Sequence, residues 1–243
     1  MSIFIYYHIT CLNNWKEIVR EQLTRVIFSG LYDKLKEIRC YAIIPYNNNE
    51  KDNEDEFLNK ETECLRIYLS TFGKKVLLLD TCCKGYESFT INNIPSAIND
   101  DDIVFYFHTK GVTRYKSTTY MLNGIYEYTI PDLEQNIQYW KDCLDYVLIK
   151  KHEKCISLLK DEKRFTVGVN AIRHPYHYSG HYWWACGTYL KSLQPVQDTT
   201  IVNIEPWLLS NMSLNREKHV SLLNNFHLYG YYYSEPLSEL VDL

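Results

Sequence analysis

The first 110 residues alternate short apolar runs with longer segments of helical periodicity, and this alternation strongly restricts the fold. The apolar runs cover residues 3–7, 38–44, 76–80 and 103–107. The segments 15–28 and 57–72 lie between them, repeat apolar residues at helical spacing and are each followed by a glycine. Strands that alternate with helices form a mostly parallel sheet covered by helices on both faces. We therefore predict an α/β fold.

The second half of the chain adds further helices and strands without a linker. A proline suits the first position of a helix, so we predict a long helix over residues 131–151, which residues 152–160 continue or follow as a second helix. Residues 165–170 are predicted to form a buried strand and residues 183–193 a helix. No repeat or low-complexity segment divides the chain, so we predict one domain over residues 1–243.

Composition and charge restrict the protein class. The hydrophobic share of 46% and the charged share of 23% are typical of globular proteins, and a net charge of -4 argues against general nucleic-acid binding. No apolar run approaches the roughly 18 residues of a membrane span, and no basic segment precedes an apolar run as in a signal peptide. The eight cysteines lack zinc-ligand spacing, as in reduced intracellular proteins. We expect a soluble cytoplasmic protein.

Residues 174–185 combine three histidines, three tyrosines and two tryptophans. Flat rings with polar edges suit a sugar, because the faces contact its C–H groups and the edges pair with its hydroxyls. The alternative interpretation is a well-packed aromatic corner whose histidines are satisfied inside the protein.

The loop after the fourth apolar run reads His108-Thr109-Lys110-Gly111. A loop at the carboxyl end of a central parallel strand is the usual ligand position in α/β folds. Lys110 beside a flexible glycine suits a phosphate, with His108 as a second donor or a metal ligand. A plain exposed turn, in which the lysine serves only solubility, is the alternative.

Three segments together carry a resemblance to a known family. Residues 106–111 (YFHTKG), 177–185 (HYSGHYWWA) and 205–207 (EPW) resemble a glycosyltransferase family of bacterial polysaccharide clusters and large DNA viruses. The resemblance extends from the first predicted strand to Trp207. It implies a glycosyltransferase A-type fold, in which residues 1–113 bind the nucleotide-sugar and residues 114–243 form the acceptor side and the C-terminal tail.

The resemblance also implies an activity and site residues. A sugar would pass from a nucleotide-diphosphate donor, with a UDP-sugar as the expected one, to a hydroxyl of an acceptor glycan or glycolipid. Glu205, at a predicted helix start, is the expected base of an inverting mechanism. The expected donor-binding and diphosphate-binding residues are His8, Asp80, His108, Lys110, Gly111 and His227. The expected sugar-binding and acceptor-binding residues are His177, Tyr178, Ser179, Gly180, Trp183, Trp184 and Trp207.

The sequence leaves open whether the protein requires a divalent metal. This fold usually has an Asp-x-Asp pair after the fourth strand, where two carboxylates hold Mg²⁺ or Mn²⁺, but this chain has His108-Thr109-Lys110. Either Lys110 neutralises the diphosphate directly, or a divalent metal binds elsewhere, with Asp80 or His227 as candidates.

Other functions fit the sequence less well or need a separate test. A non-catalytic module that binds a nucleotide-sugar or a glycan is the main alternative, and a retaining mechanism remains if Glu205 is only structural. A nucleotidyltransferase would need a glycine-rich loop, which is missing after His8. A metal hydrolase is disfavoured, because Pro175 and Gly180 interrupt any shared helical face. The histidines concerned are His174, His177 and His181.

Overall fold

The computed structural model describes residues 1–46, 53–114, 119–122, 126–129, 133–173, 175–197, 204–211 and 215–223. The strands are β1 (Ile3–Thr10), β2 (Glu37–Ile43), β3 (Val76–Cys82), β4 (Ile103–His108), β5 (Thr119–Leu122), β6 (Tyr126–Thr129), β7 (Thr166–Gly168), β8 (Ala171–Ile172), β9 (His177–Tyr178), β10 (Trp183–Cys186) and β11 (His219–Ser221). The helices are α1 (Trp15–Phe28), α2 (Leu31–Lys34), α3 (Glu54–Ser70), α4 (Ser88–Ile91), α5 (Leu133–Asp145), α6 (His152–Lys160) and α7 (Gly187–Ser192). Within these ranges no helix combines the length and the apolar character that crossing a membrane requires.

Seven strands form one central sheet in the order β11-β7-β10-β4-β1-β2-β3. The strands β3, β2, β1 and β4 run parallel to one another, whereas β10 is antiparallel to both β4 and β7. The predicted α/β class with a mostly parallel sheet is therefore confirmed. The chain builds outward from β1 to β3 and then returns to place β4 on the other side of β1, which makes the β1–β4 boundary a topological switch point.

The two faces of the sheet belong to two separate cores. Ile5, Tyr7 and Phe107 lie in a core with residues of α1, α3, α5 and α6. Tyr6 and Tyr106 lie in a second core with residues of α4 and α7. The period of two in a strand explains the division, because successive side chains point to opposite faces.

The helix predicted over residues 183–193 is wrong for its first four residues, which form the strand β10. Trp183 stacks on Tyr106 with ring centroids 4.9 Å apart, and Trp184 stacks on Phe105 at 4.7 Å on the other face. Alternating indoles fill both cores from one extended segment between β4 and β7. A helix would place the two rings about 100° apart on one cylinder, so only α7 from Gly187 onward is helical.

The predicted long helix over residues 131–151 is divided. Its predicted start at Pro131 lies outside the described residues; α5 ends at Asp145 and a π-helical turn covers Tyr146–Lys150. Nε1 of Trp184 donates to the carbonyl oxygen of Leu148 at 2.9 Å. The indole therefore meets a carbonyl in the widened turn, and the deviation from α-helix coincides with a tertiary contact.

The register of β1 and β4 positions the site. Tyr6 lies opposite Tyr106 and His8 lies opposite His108 in the parallel ladder. Partners in register share a face of the sheet, so both histidines follow their tyrosines onto the face of the second core. Two imidazoles thus come together where the two strands end, at the switch point.

Candidate functional site

Glu87 is the centre of a hydrogen-bonded cluster at the carboxyl ends of β1 and β4. Nδ1 of His108 donates to its Oε1 at 2.6 Å, and Nδ1 of His181 donates to its Oε2 at 2.5 Å. The hydroxyl of Tyr106 also donates to Oε2 at 2.7 Å. An ionised carboxylate only accepts hydrogen bonds, so each ring carries a hydrogen on Nδ1. We call Glu87, His108 and His181 the carboxylate–histidine cluster.

The position of Glu87 before α4 explains why its carboxylate is available. Glu87 precedes Ser88, the first residue of this four-residue helix, but its backbone is already helical, with φ -55° and ψ -23°, and its side chain caps no amide. An N-cap residue with extended backbone would turn its side chain back onto the helix. The carboxylate of Glu87 instead reaches across to β4 and to the turn before β10.

Burial and the neighbouring groups set the protonation states of Glu87 and His108. Burial alone would raise the pKa of Glu87, but His108 and His181 hold that pKa well below its ordinary value. Burial lowers the pKa of His108 and outweighs the opposing effect of Glu87, with Lys110 and His181 lowering it further. At neutral pH we therefore assign an ionised Glu87 and a neutral His108, whose Nε2 has a free electron pair.

His8 extends the cluster along the end of β1. Its Nδ1 lies 2.8 Å from the hydroxyl oxygen of Thr90, and its Nε2 lies 3.4 Å from that of Thr10. Burial lowers the pKa of His8 to about 4, so this ring is neutral at neutral pH. The structure thus brings two predicted donor-binding residues, His8 and His108, to one place.

The loop after β4 is fixed to the end of β1. The backbone N–H of Thr10 donates to the hydroxyl of Thr109 at 3.0 Å, and the amide of Asn13 donates to the carbonyl oxygen of Val112 at 2.7 Å. Gly111 has φ +86°, a left-handed value that glycine adopts without strain. Lys110, between Thr109 and this glycine, is partly exposed beside the cluster.

A buried amide supports the same loop from the opposite face of the sheet. Gln22 of α1 accepts from the hydroxyl of Tyr7 at 2.6 Å and donates to the carbonyl oxygen of His108 at 3.0 Å. Gln22 also donates to the hydroxyl of Tyr182, which donates to the same carbonyl at 2.8 Å. These bonds hold the backbone of His108 where the loop begins.

The turn over Ser179–His181 presents the second imidazole of the cluster. His181 has φ +56°, which is uncommon for a residue with a side chain, and follows Gly180 at φ +82°. A methyl group on Gly180 would lie 2.7 Å from Cδ1 of Leu144 and 3.0 Å from Nε1 of Trp140. Gly180, predicted to let the donor sugar approach the backbone, therefore lets this turn approach α5 instead.

Substitution of Gly180 by alanine is expected to lower the free energy of unfolding by about 2–4 kcal/mol, because backbone strain adds to the contact with Leu144. Gly30 is the matched control, since it has φ +79° and nothing within 4 Å of an added methyl. Gly30→Ala is expected to cost only about 1 kcal/mol, from strain alone. Urea denaturation measures both values, and equal losses in the two variants would contradict the packing argument.

A cleft of about 580 Å³ lies beside the second core, on the same face of the sheet as the cluster. Its walls include Tyr176, Pro195 and Trp207. His177 and Glu205 adjoin these residues in the chain and face each other, with Nε2 of His177 lying 3.8 Å from Oε2 of Glu205. The predicted helix start at Glu205 is a turn, followed by a 3-10 turn at Trp207–Leu209.

One indole separates the cleft from the cluster. The ring centroid of Trp183 lies 6.5 Å from that of His181 and 6.2 Å from that of Trp207. The structure therefore brings His177, Glu205 and Trp207 together in a second group next to the first.

Several residues predicted to contact a sugar are buried by the protein itself. Trp183 and Trp184 fill the two cores, and the ring of Tyr178 covers Gly168, where an added methyl would lie 2.2 Å from it. The hydroxyl of Tyr178 lies 2.8 Å from that of Thr166, and Ser179 is also buried. Buried side chains present no surface to a ligand, so none of these four residues offers a ring or a hydroxyl to a sugar.

The candidate metal ligands lie apart from the cluster or outside the described residues. Asp80 is exposed on β3 and accepts from the N–H of Thr81, whereas His227 and His174 fall outside the described ranges. Over the part of the chain that the structure describes, no three His, Cys, Asp or Glu side chains are grouped to hold a metal. Both oxygens of Glu87 already accept hydrogen bonds, so these residues do not fit a hard cation such as Mg²⁺ or Mn²⁺.

Sequence reasoning missed Glu87, Thr90 and His181 as site residues. Glu87 follows the third strand, and a loop after a parallel strand is where a ligand group is expected, so its position was a usable signal. Nothing local distinguishes Thr90. His181 is visible in the sequence only as part of the aromatic segment and as a possible metal ligand, because its partner Glu87 is distant in the chain.

Comparisons of this chain with protein-family models and with curated protein sequences find no match.

Proposed function

We propose that the protein transfers a sugar from a nucleotide-diphosphate donor to a hydroxyl of an acceptor glycan, on a sheet of the glycosyltransferase A type. The observation that carries the proposal is the carboxylate–histidine cluster at the β1–β4 switch point, with Lys110 on the adjoining loop. Ligands of open α/β sheets bind outside the carboxyl ends of the strands at such a point.

The diphosphate is assigned to the edge formed by His108, Lys110 and Gly111, and the predicted donor residue His8 lies buried behind this edge against Thr90. The charge of Lys110 is close enough to His108 to lower its pKa, so a cation and an imidazole lie side by side. A lysine ammonium binds phosphate oxygens as a point charge. Charge on the departing diphosphate is then stabilised by protein groups, and no step in the proposal passes through a metal.

The acceptor is assigned to the cleft beside Trp207. Tyr176 and Trp207 offer ring surface to a sugar, and Glu205 lies next to that cleft with its side chain 37% exposed. An exposed carboxylate next to an acceptor hydroxyl is suited to remove its proton. We therefore retain Glu205 as the base of an inverting reaction.

A thermal-shift screen against UDP-, GDP-, CMP- and dTDP-sugars, with and without Mn²⁺, tests the donor assignment. A true donor at 100 times its Kd adds about 2.7 kcal/mol to the free energy of unfolding, so the melting temperature rises by several degrees. Lys110→Ala is expected to reduce this shift, and Lys151→Ala, on the turn before α6, is the control. The proposal fails if none of these ligands shifts the transition in either condition.

A non-catalytic module that binds a nucleotide-sugar or a glycan is the second candidate. The feature that favours it is the replacement of the usual acidic pair by His108-Thr109-Lys110. Binding in the screen with no detectable turnover or hydrolysis of the same nucleotide-sugar would select this candidate.

A further inference from the structure

The carboxylate–histidine cluster is only half satisfied. Nε2 of His108 and Nε2 of His181 are buried, and neither has a hydrogen-bond partner among the residues that the structure describes. A buried polar atom left unpaired costs about 1–3 kcal/mol. His181 also holds a left-handed backbone, a form of strain that concentrates at functional sites. A ligand from outside is therefore expected to complete the cluster.

The type of ligand depends on the proton on Nε2. In the neutral ring of His108, Nδ1 carries the hydrogen and Nε2 can only accept. A phosphate oxygen of a nucleotide-sugar also only accepts, so the two atoms repel unless a proton lies between them. The side chain of His108 is 15% exposed and that of His181 is 1% exposed, which makes His108 the ring nearer to a ligand.

We propose that binding of the nucleotide-sugar diphosphate is coupled to the uptake of one proton, which resides on Nε2 of His108 and is donated to a phosphate oxygen. This inference rests on the proposed function and adds to it the roles of Glu87 and His181. Glu87 is a positioning residue, because it orients both rings through their Nδ1 atoms and its charge compensates the added proton.

The surrounding charges are compatible with this uptake. Glu87 favours the protonated form of His108, whereas Lys110 and His181 oppose it. The two negative charges of a bound diphosphate favour the protonated form further, so the pKa of His108 rises when the ligand binds. Among the residues that the structure describes, the other titratable groups around the cluster are His8, Tyr106 and Tyr182. Burial lowers the pKa of His8 to about 4 and raises the pKa of both tyrosines well above its ordinary value, so these three stay neutral between pH 6 and 8.5.

The proton on Nε2 of His108 would also stabilise the departing phosphate during sugar transfer. The bond between the sugar C1 and the phosphate oxygen breaks, and its electron pair goes to the phosphate, which His108 stabilises through the Nε2 hydrogen. The acceptor oxygen forms the new bond to C1, and its proton goes to Glu205. Atoms and charges balance with protein groups alone, and hydrogen bonds to a developing anion are an effective form of catalysis.

Isothermal titration calorimetry of the full chain with UDP-glucose and with GDP-mannose tests the inference. Both probes are diphosphate diesters that do not titrate between pH 6.5 and 8.5, so any proton taken up belongs to the protein. At pH 7.5 the binding heat is expected to vary with the ionisation enthalpy of the buffer, with up to about one proton taken up per ligand. Affinity is expected to fall by up to about tenfold per pH unit over this range.

Two variants separate the effect of proton uptake at His108 from the effect of the positive charge of Lys110. His108→Gln retains an N–H donor, so it is expected to bind more weakly, with a heat independent of buffer and an affinity independent of pH. Lys110→Met is expected to weaken binding but to keep the proton uptake. If the wild-type protein binds either probe with no buffer dependence, the inference is wrong and the proposed function stands. If neither probe binds and no donor of the thermal-shift screen does, the inference and the proposed donor site both fail.

Discussion

Glu205→Gln is expected to lower the rate of sugar transfer, or of slow nucleotide-sugar hydrolysis, by about 10²–10⁴-fold while leaving donor binding unchanged. This range is typical of removing a general base. Glutamine keeps the size and polarity of the side chain but cannot take a proton. The substitution should preserve the surrounding structure, because within the described ranges His177, at 3.8 Å, is the one side chain at ion-pair distance from Glu205.

Initial rates at saturating donor measure this effect, and the thermal shift with the same donor verifies binding. Glu217→Gln is the matched control, since it changes an exposed glutamate on the 3-10 turn at Arg216–Lys218 and is expected to leave the rate unchanged. A rate within about threefold of wild type in the Glu205 variant would remove Glu205 as the base. A retaining mechanism would then be the better hypothesis.

Arg25→Met is expected to lower the free energy of unfolding by about 3–5 kcal/mol at pH 8, the usual cost of leaving a buried carboxylate without its partner. The guanidinium of Arg25 on α1 donates to Asp145 at 2.6 Å, to Asp142 at 2.6 Å and to Glu21 at 2.5 Å. Only Asp145 is deeply buried, with 3% of its side chain exposed. The loss of Arg25 therefore acts mainly through Asp145.

The effect of Arg25→Met should depend on pH. Burial raises the pKa of Asp145 to about 7 although Arg25 opposes the shift. Between the unfolded value near 3.9 and pH 7, the folded protein binds more protons than the unfolded chain, so the free energy of unfolding falls as pH rises. Without Arg25 the pKa of Asp145 rises further, so this fall continues to higher pH, and the variant is expected to lose less stability at pH 5 than at pH 8.

Urea denaturation at the two pH values measures this dependence, with Asp145→Asn as the control. That variant removes the buried charge and keeps an acceptor for Arg25, so it is expected to change stability by less than about 1 kcal/mol at pH 8. In the double variant Arg25→Met/Asp145→Asn, most of the loss should be recovered, which a double-mutant cycle quantifies. An equal loss in the single and the double variant would contradict the explanation.

Local patterns predicted most of the layered fold. The segment 15–28 is α1 as predicted, and the apolar runs at 3–7 and 103–107 lie within β1 and β4. The third helix begins at Glu54, three residues before its predicted start, because the side chain of Asn53 accepts from the N–H of Glu56 and caps the helix inside the acidic segment. Such patterns are readable because helices and strands repeat every few residues.

Aromatic density, in contrast, did not distinguish a binding surface from a core. Trp183 and Trp184 belong to a strand whose two faces are both covered, so the ring-rich segment mainly builds the interior. Two residues of this segment support the turn bearing Lys110: His181 acts through Glu87, and Tyr182 donates to the carbonyl oxygen of His108. Burial of a strand depends on which strands lie on either side of it, and the sequence of one segment does not show which strands these will be.

The sequence by itself determined the class of fold and placed His8 and His108 at the ends of two strands, because strand periodicity and strand ends are local properties. Only the tertiary structure decided that these strands lie side by side in register. It also brought Glu87 and His181, which are 94 residues apart in the chain, within hydrogen-bond distance. The order of strands in a sheet depends on how the whole chain buries its apolar surface, and the site that we propose is a consequence of that order.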